Sequence, residues 1–119
     1  MANPNIRQLT TLTGNTAVQN VTTVFADLVS NAAASNSIYR ITMLSASNLN
    51  ETTSQNVSVD LVRSSASYSL IRGATVPAGS TLVPVTKDSA IYLTEGDKLQ
   101  SKASANANIQ IICSYEVLS

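Results

Sequence analysis

The stretch Ser89–Ser119, SAIYLTEGDKLQSKASANANIQIICSYEVLS, decides the fold. At its end apolar and polar side chains alternate along an extended chain. One face of that strand takes Ile109, Ile111, Cys113, Tyr115 and Val117, and the other takes Gln110, Ser114 and Glu116, interrupted by Ile112 and Leu118. A period of two is typical of a half-buried β-strand, so the chain is predicted to end inside a sheet.

A polar turn lies upstream of this last strand. Ala90–Thr94 is predicted as a short strand, and Glu95–Lys98 as the turn after it, in which Gly96 supplies the positive φ of a tight reversal. We expect Leu99–Ser104 to pair back across this turn as a β-hairpin. Ala105–Asn108 then leads into the final strand.

Turn signals recur along the rest of the chain at the spacing of an all-β domain. Alternation is clearest in two segments, where it places Tyr39, Ile41 and Met43 on one face of the first, and Val57, Val59 and Leu61 on one face of the second, opposite Ser58 and Asp60. The predicted strands here are Ile6–Leu12, Val18–Phe25, Ser37–Ala46, Asn56–Arg63, Tyr68–Arg72 and Ser80–Val85.

Turn and loop residues set the limits of these strands. Gly14-Asn15 is expected to end the first strand, and Gly73 the strand Tyr68–Arg72. The Ser and Asn content of Asp27–Asn36 favours a loop. Val76–Gly79, with Pro77 and Gly79, reads as a tight turn, and Pro84 places its strand at a sheet edge because proline donates no ladder hydrogen bond.

Eight or nine short strands joined by turns predict antiparallel pairing, because parallel strands need long crossovers. The expected fold is therefore an all-β antiparallel β-sandwich, Ig-like or jelly-roll-like, in which two sheets bury their apolar faces against each other. The length of 119 residues suits a single domain, 1–119, preceded by a short polar N-terminal arm at about residues 1–8.

The composition suits a chain whose surface meets other proteins. Hydrophobic residues make up 44% of the chain, but charged residues only 12%, about half the usual share of roughly 25%. Seven basic and seven acidic residues give a formal net charge of zero, which protects poorly against self-association. An ordinary neutral soluble domain is the alternative that composition alone leaves open.

The sequence carries little that catalysis needs. Because it contains no histidine, a Ser-His-Asp or Cys-His relay cannot be built from it, and its single cysteine cannot form an internal disulfide. Cys113 is predicted to be a small core residue. The four glycines form no phosphate-binding loop. We therefore predict no catalytic residues, no cofactor and no enzymatic activity.

Two further kinds of site were weighed. Glu95 and Asp97 flank Gly96 and are candidate calcium ligands, although neighbouring acids in a turn are more often simply solvated. The strand-borne Tyr39, Tyr68, Tyr92 and Tyr115 would have to form a coplanar strip to bind a carbohydrate, and packing is the commoner role of such tyrosines.

Partners other than proteins are not expected. The basic residues are dispersed rather than gathered into a nucleic-acid footprint: they are Arg7, Arg40, Arg63, Arg72, Lys87, Lys98 and Lys102. Arg40 and Arg63 are candidates for cross-strand or inter-subunit ion pairs, although the more ordinary role of such residues is to cover the sheet with the aliphatic stem while the charged group stays in water. No segment approaches the roughly 18 apolar residues of a membrane span, and the N-terminus lacks the pattern of a signal peptide. Synthesis in a reducing cytoplasm follows as an expectation.

Several segments resemble small virion proteins of tailed bacteriophages. In order they are SIYRITMLSASNLN (37–50), NVSVDLVR (56–63), YSLIRGATVPAGSTLVPV (68–85) and AIYLTEGDKLQSKASANANIQIICSYEVLS (90–119). The likeness rests mainly on the V-P-A-G-S-T-L turn and the I-Y-L-x-E-G-D-x-L segment, and it covers the chain from about Ser37 onward.

The resemblance implies a non-enzymatic structural subunit of a virion, made in the host cytoplasm, with a β-sandwich fold and many copies per particle. Its partners would be other virion proteins, either the major capsid protein or neck and tail proteins, and copies of itself. A capsid decoration (cement) protein is the first hypothesis. The alternatives are a neck, collar or tail adaptor subunit and, in a different class, a carbohydrate-binding module.

Overall fold

The chain forms two antiparallel sheets. A computed structural model describes residues 12–104 and 108–119, apart from the side chain of Lys87, so the predicted arm 1–8 lies outside the described residues. The strands are β1 (Leu12–Asn20), β2 (Ala26–Ser30), β3 (Ile38–Asn48), β4 (Gln55–Arg63), β5 (Ala66–Val76), β6 (Thr81–Val85), β7 (Ile91–Leu93), β8 (Lys98–Ala103) and β9 (Ile109–Leu118), with a 3-10 turn at Lys87–Ser89.

Sheet 1 has the strand order β1-β9-β3-β6. β7 pairs with the same edge of β3 as β6 does, but nearer the start of β3. Sheet 2 has the order β2-β8-β4-β5. Every pairing is antiparallel, and the two sheets face each other across one apolar layer. The predicted all-β sandwich is confirmed.

The core lies between the sheets and consists mainly of aliphatic side chains. Its fully buried large members include Ile41, Leu44, Leu93, Leu99, Ile109, Ile111, Val57, Val59, Val76 and Val85. The alternation in β9 puts its core residues inside as expected, and Cys113 is buried beside them. No aromatic ring is among the largest buried side chains, so the core depends on close aliphatic packing.

The strands with the clearest alternation are placed nearly as predicted, and so are two turns. The Ser80 N–H donates to the Pro77 carbonyl at 3.0 Å, and Gly79 has a φ of 68°, so a tight turn is present at Pro77–Ser80, one residue later than predicted, because Val76 still belongs to β5. β6, which contains Pro84, pairs only with β3 and is therefore an edge strand, as that proline indicates. Gly96 has a φ of 86°, as the predicted turn requires.

Alternation in β3 shifts within the strand. A register shift between Ile41 and Met43 moves Leu44, rather than Met43, onto the inner face, where it is fully buried. The prediction that Met43 shares a face with Ile41 was therefore wrong. A β-bulge inserts one residue into one strand of a pair and changes which side chains point inward.

The N-terminal third differs from the prediction. Gly14-Asn15 lies inside β1 instead of ending a strand, and the predicted strand Val18–Phe25 is divided, because β1 ends at Asn20. Part of the predicted loop Asp27–Asn36 belongs to β2, whose Val29 is buried. Most of the predicted strand Ile6–Leu12 lies outside the described residues.

The predicted hairpin across Glu95–Lys98 is also wrong. β7 pairs with β3 in sheet 1, whereas β8 pairs with β2 and β4 in sheet 2. The turn is present, but it carries the chain from one sheet to the other. A turn motif shows that the chain reverses, and it does not show which strand the next segment joins.

β5 continues through Gly73, which was expected to end it. Gly73 has a φ of 61° and lies at a register shift between β4 and β5, where its N–H donates to Ser58 Oγ at 2.8 Å. A glycine in a strand often marks such a bulge. Across the described part of the chain, no helix has the length and apolar character of a membrane span.

Candidate interaction face

In the turn Glu95–Lys98, the carboxylate oxygens of the candidate calcium ligand Asp97 already accept hydrogen bonds from the protein. Asp97 accepts hydrogen bonds from Arg63 Nε at 3.1 and 3.0 Å, from Arg63 Nη2 at 2.6 Å, and from the Thr94 N–H and hydroxyl at 2.8 and 2.9 Å. Glu95 points elsewhere and accepts the Asn36 N–H at 2.6 Å. Within residues 12–104 and 108–119, no group of three acidic or thiol side chains is arranged to hold a metal.

These bonds determine the protonation of Asp97. Its burial acts to raise the pKa of the carboxyl group, but the hydrogen bonds from Arg63 and Thr94 outweigh burial, and the pKa of Asp97 is lowered. The Asp97 side chain is 3% exposed and that of Arg63 47% exposed. The pair is therefore a structural clasp between the end of β4 and the turn between the sheets.

Three further basic side chains, Arg40, Lys98 and Lys102, also make contacts within the protein. Arg40 Nη1 lies 3.1 Å from Glu116 Oε1 across β3 and β9, which confirms a cross-strand ion pair for this arginine. Lys98 Nζ lies 3.4 Å from Asp27 Oδ1, and Lys102 Nζ lies 4.9 Å from the centre of the Phe25 ring. These contacts are local, on different strands.

The tyrosines do not form a strip. Tyr39 and Tyr115 stack on each other against the core, with ring centroids 5.3 Å apart. Tyr92 is exposed on β7 of sheet 1, and Tyr68 is exposed on β5 of sheet 2. Each sheet therefore exposes one tyrosine, and the coplanar surface that a carbohydrate site would need is not present.

Cys113 is enclosed in the core between the sheets. Its side chain is fully buried, and burial raises the pKa of the thiol to about 12. Because the thiolate is the reactive form, this cysteine is inert in the folded protein at neutral pH. Its predicted role as a small core residue is confirmed.

Sheet 2 has a polar outer surface. Ser58 and Asp60 point away from the core as predicted, yet both are largely buried there. Asp60 lies in a cleft of about 300 Å³ whose lining includes Phe25, Arg72 and Lys102. This surface carries charges of both signs.

The outer face of sheet 1 is different, because it exposes large apolar side chains. The register of β1, β9 and β3 arranges this face in rows that cross the strands. One row contains Val18, Ile112 and Ser45; a second contains Gly14, Glu116, Arg40 and Tyr92; a third contains Leu12, Leu118 and Ile38.

Five large apolar side chains are exposed on this face, and we call them the apolar outer face: Leu12, Val18, Val83, Tyr92 and Ile112. Val18 and Ile112 are direct cross-strand partners and line a shallow cleft of about 330 Å³. The sequence shows Ile112 only as an interruption of the polar face of the last strand, and it shows Val18 and Tyr92 as ordinary strand residues. The pairing of β1 and β7 with non-consecutive strands brings them onto one face.

No protein-family model and no curated protein matches the chain. Among solved structures, the chain is similar to a protein of Bacillus endospore appendages, which are described as a novel family of disulfide-linked pili. The similarity covers 100% of this chain and 96% of the other, with a TM-score of 0.56 and 12% sequence identity. At this identity the likeness concerns the fold.

Proposed function

We propose that this protein is a non-enzymatic structural subunit of a bacteriophage particle, and that it decorates the capsid as a cement protein. The apolar outer face of sheet 1 carries the proposal. Large exposed apolar side chains that share one face are typical of protein-binding surfaces, whereas scattered ones are ordinary. In this face two polar rows, which contain the Arg40–Glu116 ion pair and the Thr16–Ser114 pair, lie between the apolar row of Leu12 and that of Val18, and interfaces between proteins commonly combine apolar and polar groups.

Two further observations support the proposal. The sequence resembles small virion proteins of tailed bacteriophages over most of its length, in motifs that contain the Pro77–Ser80 turn and the crossing from β7 to β8. A similar fold also occurs in a protein of pilus-like appendages. A two-sheet sandwich is thus a fold that can serve as a repeating unit in a large assembly.

A decoration protein does not need a strong single contact. On a symmetric capsid each copy binds near others, and many modest contacts add up to a firm attachment. We expect the apolar outer face to lie against the major capsid protein, with its aromatic and aliphatic side chains contributing most of the affinity.

Two tyrosines of similar exposure allow a matched test of this face. Tyr92 is 44% exposed on sheet 1 and Tyr68 is 58% exposed on sheet 2. Purified protein is added to particles that lack it, and bound protein is measured after sedimentation of the particles. Tyr92→Ala should weaken binding about tenfold, which corresponds to ~1.4 kcal/mol, and Ile112→Ala should act in the same direction.

Tyr68→Ala is the control and should bind like the unchanged protein. Equal binding by all variants would show that another surface makes the contact. Particles without the protein should also lose resistance to heat or to low salt, and unchanged resistance would contradict a cementing role.

A neck, collar or tail adaptor subunit would use the same fold in a ring of low symmetry. The number of copies per particle, measured by quantitative mass spectrometry against the major capsid protein, separates the two locations. Hundreds of copies support capsid decoration, and about six to twelve support the neck or tail.

A further inference from the structure

Among residues 12–104 and 108–119, β1 has a sheet partner on one side only. β1 pairs with β9 on one side, and in the part of the chain that the structure describes, no strand pairs with its other side. An edge of this kind can accept another extended chain through main-chain hydrogen bonds.

The other sheet edges carry features that hinder such pairing. β6 contains Pro84, β7 is only three residues long, β5 contains Arg72 and the bulge at Gly73, and β2 is five residues long and contains Asp27. Charges, prolines, bulges and short length are the usual protections of an edge strand. β1, with the sequence LTGNTAVQN, has nine residues, no charge and no proline.

The hydrogen-bond pattern shows which residues face this open edge. The Val21 N–H donates to the Ile109 carbonyl at 2.9 Å, and the β1–β9 register continues from there without a shift. Because bonding residues alternate in an antiparallel pair, the odd-numbered residues of β1 bond to β9. The N–H and C=O groups of the even-numbered residues, Leu12 to Asn20, therefore point to the open side.

We propose that two copies of this chain pair through β1, antiparallel, about a twofold axis at Thr16. The open edge requires an uncharged extended strand with its own free main-chain groups, and β1 of a second copy meets this requirement. Thr16 lies at the centre of the described part of β1, so this register pairs every even-numbered residue from Leu12 to Asn20. It forms about ten main-chain hydrogen bonds, two for each pair of facing even-numbered residues.

The side chains fit this register. Val18 of each copy faces Gly14 of the other, so the larger side chain lies beside the residue that has none, and Leu12 faces Asn20. No like charges meet, because β1 is uncharged. The pairing also places the apolar outer faces of both copies on the same side of a continuous sheet, which doubles the surface available for a partner.

The test compares substitutions that change the main chain at Thr16 with one that does not. Proline at position 16 removes an N–H on the open side, while the bond ladder to β9 stays intact. In sedimentation equilibrium, the unchanged full-length chain should dimerise at micromolar concentration, and Thr16→Pro should weaken dimerisation at least a hundredfold. Thr16→Val keeps the N–H and should dimerise normally.

Proline at the neighbouring position tests the assignment of the two sides. Ala17→Pro removes an N–H that bonds to β9 and should lower the unfolding temperature sharply, whereas Thr16→Pro should leave it nearly unchanged when both are measured at concentrations at which the unchanged chain is monomeric. Equal loss of stability in both variants would contradict the assigned hydrogen-bond pattern.

Crosslinking tests the register. Thr16→Cys places two thiols beside the twofold axis at a distance of about 5.5 Å, within reach of a short bifunctional thiol reagent. Thr81→Cys, on the distant strand β6, is the control and should give no crosslinked dimer. A chain that stays monomeric up to about 100 μM, or a Thr16→Pro variant that dimerises normally, would overturn the proposal.

These outcomes are separate from those of the proposed function. A protein that is monomeric and still binds particles through Tyr92 contradicts edge pairing alone. A protein that dimerises through β1 and does not bind particles contradicts the proposed function alone.

Discussion

At the scale of single residues, the Arg63–Asp97 clasp places a charged carboxylate where water hardly reaches it. Its carboxylate is almost completely buried, and it is stabilised by five donor contacts from two residues. A buried carboxylate without such donors would lower the free energy of unfolding, because its charge would lose contact with water and gain nothing in return. The clasp therefore fixes the turn at which the chain leaves sheet 1 for sheet 2.

We predict that Asp97→Asn lowers the free energy of unfolding by about 1–3 kcal/mol at pH 7, because charge-assisted hydrogen bonds are lost inside the protein. The pKa of Asp97 is lowered in the folded state, so its contribution is present above the ordinary carboxyl pKa and is lost as pH falls through the folded value. Urea unfolding at pH 7 and at pH 3 should therefore show a smaller difference between variant and unchanged protein at pH 3.

Asp88→Asn is the control, because Asp88 is exposed in the 3-10 turn and its loss should change stability by less than about 0.5 kcal/mol. A difference for Asp97→Asn that stays constant with pH would show that the charge of this residue does not matter to folding.

At the scale of elements, the two-residue connection between β4 and β5 carries local strain. Ser64 and Ser65 join the paired residues Arg63 and Ala66 with φ values of 53° and 64°. A two-residue hairpin loop with positive φ at both positions favours Asn-Gly. Glycine has no Cβ, and Asn and Asp tolerate this region, whereas in other residues the Cβ lies too close to the following carbonyl oxygen.

We predict that Ser65→Gly raises the free energy of unfolding by about 1 kcal/mol, since glycine removes the strain of the left-handed conformation. Ser67→Gly, two residues later inside β5, should have the opposite effect and lower stability by roughly 0.5–1 kcal/mol, because glycine in a strand loses more conformational freedom. Chemical unfolding of the two variants measures both effects. Destabilisation by Ser65→Gly would show that the hairpin loop is not strained.

The elements also show what the sequence can predict. β4 and β9 were predictable because a strand buried on one face repeats every two residues, and that period can be read directly. β2 was missed because its five residues, ADLVS, give too short a pattern and run directly into a segment rich in Asn, Ala and Ser. Gly14 was misinterpreted because a glycine can lie in extended backbone at a sheet edge as well as in a turn.

The apolar outer face was less accessible to prediction than the strands. It combines residues of β1, β9, β6 and β7. β1 lies beside β9, and β6 and β7 lie beside β3, so the four strands share one face only because β9 and β3, which are far apart in the chain, are neighbours in the sheet. The order of strands depends on long-range packing, which no local motif reports. The surface could therefore be recognised only after the strand order was known, although Ile112 was visible as an apolar residue on the polar face.

At the scale of the whole molecule, the position of Cys113 restricts the covalent links that this chain can form. The similar Bacillus appendage protein belongs to pili that are described as disulfide-linked. This chain has one cysteine, enclosed between the two sheets at the centre of β9. A link between copies through that thiol would require the sandwich to open, so we expect any assembly of this chain to depend on packing and main-chain pairing.

We predict that the folded protein forms no disulfide-linked species and that its assemblies resist reducing agents. The raised pKa of the Cys113 thiol favours the protonated form when folded, so its contribution to stability is complete below the ordinary thiol pKa of 9.0 and is lost as pH rises toward about 12. Iodoacetamide at pH 8 should therefore modify Cys113 in urea but not in the native protein. Raising the pH from 8 to 10.5 should lower the free energy of unfolding of the unchanged protein by about 1–2 kcal/mol more than that of Cys113→Ala, which has no thiol to ionise. At pH 8 the variant should be the less stable of the two, because the smaller side chain leaves a cavity. Rapid native modification, or dimers that disappear on reduction, would mean that the two sheets separate readily enough to expose the thiol.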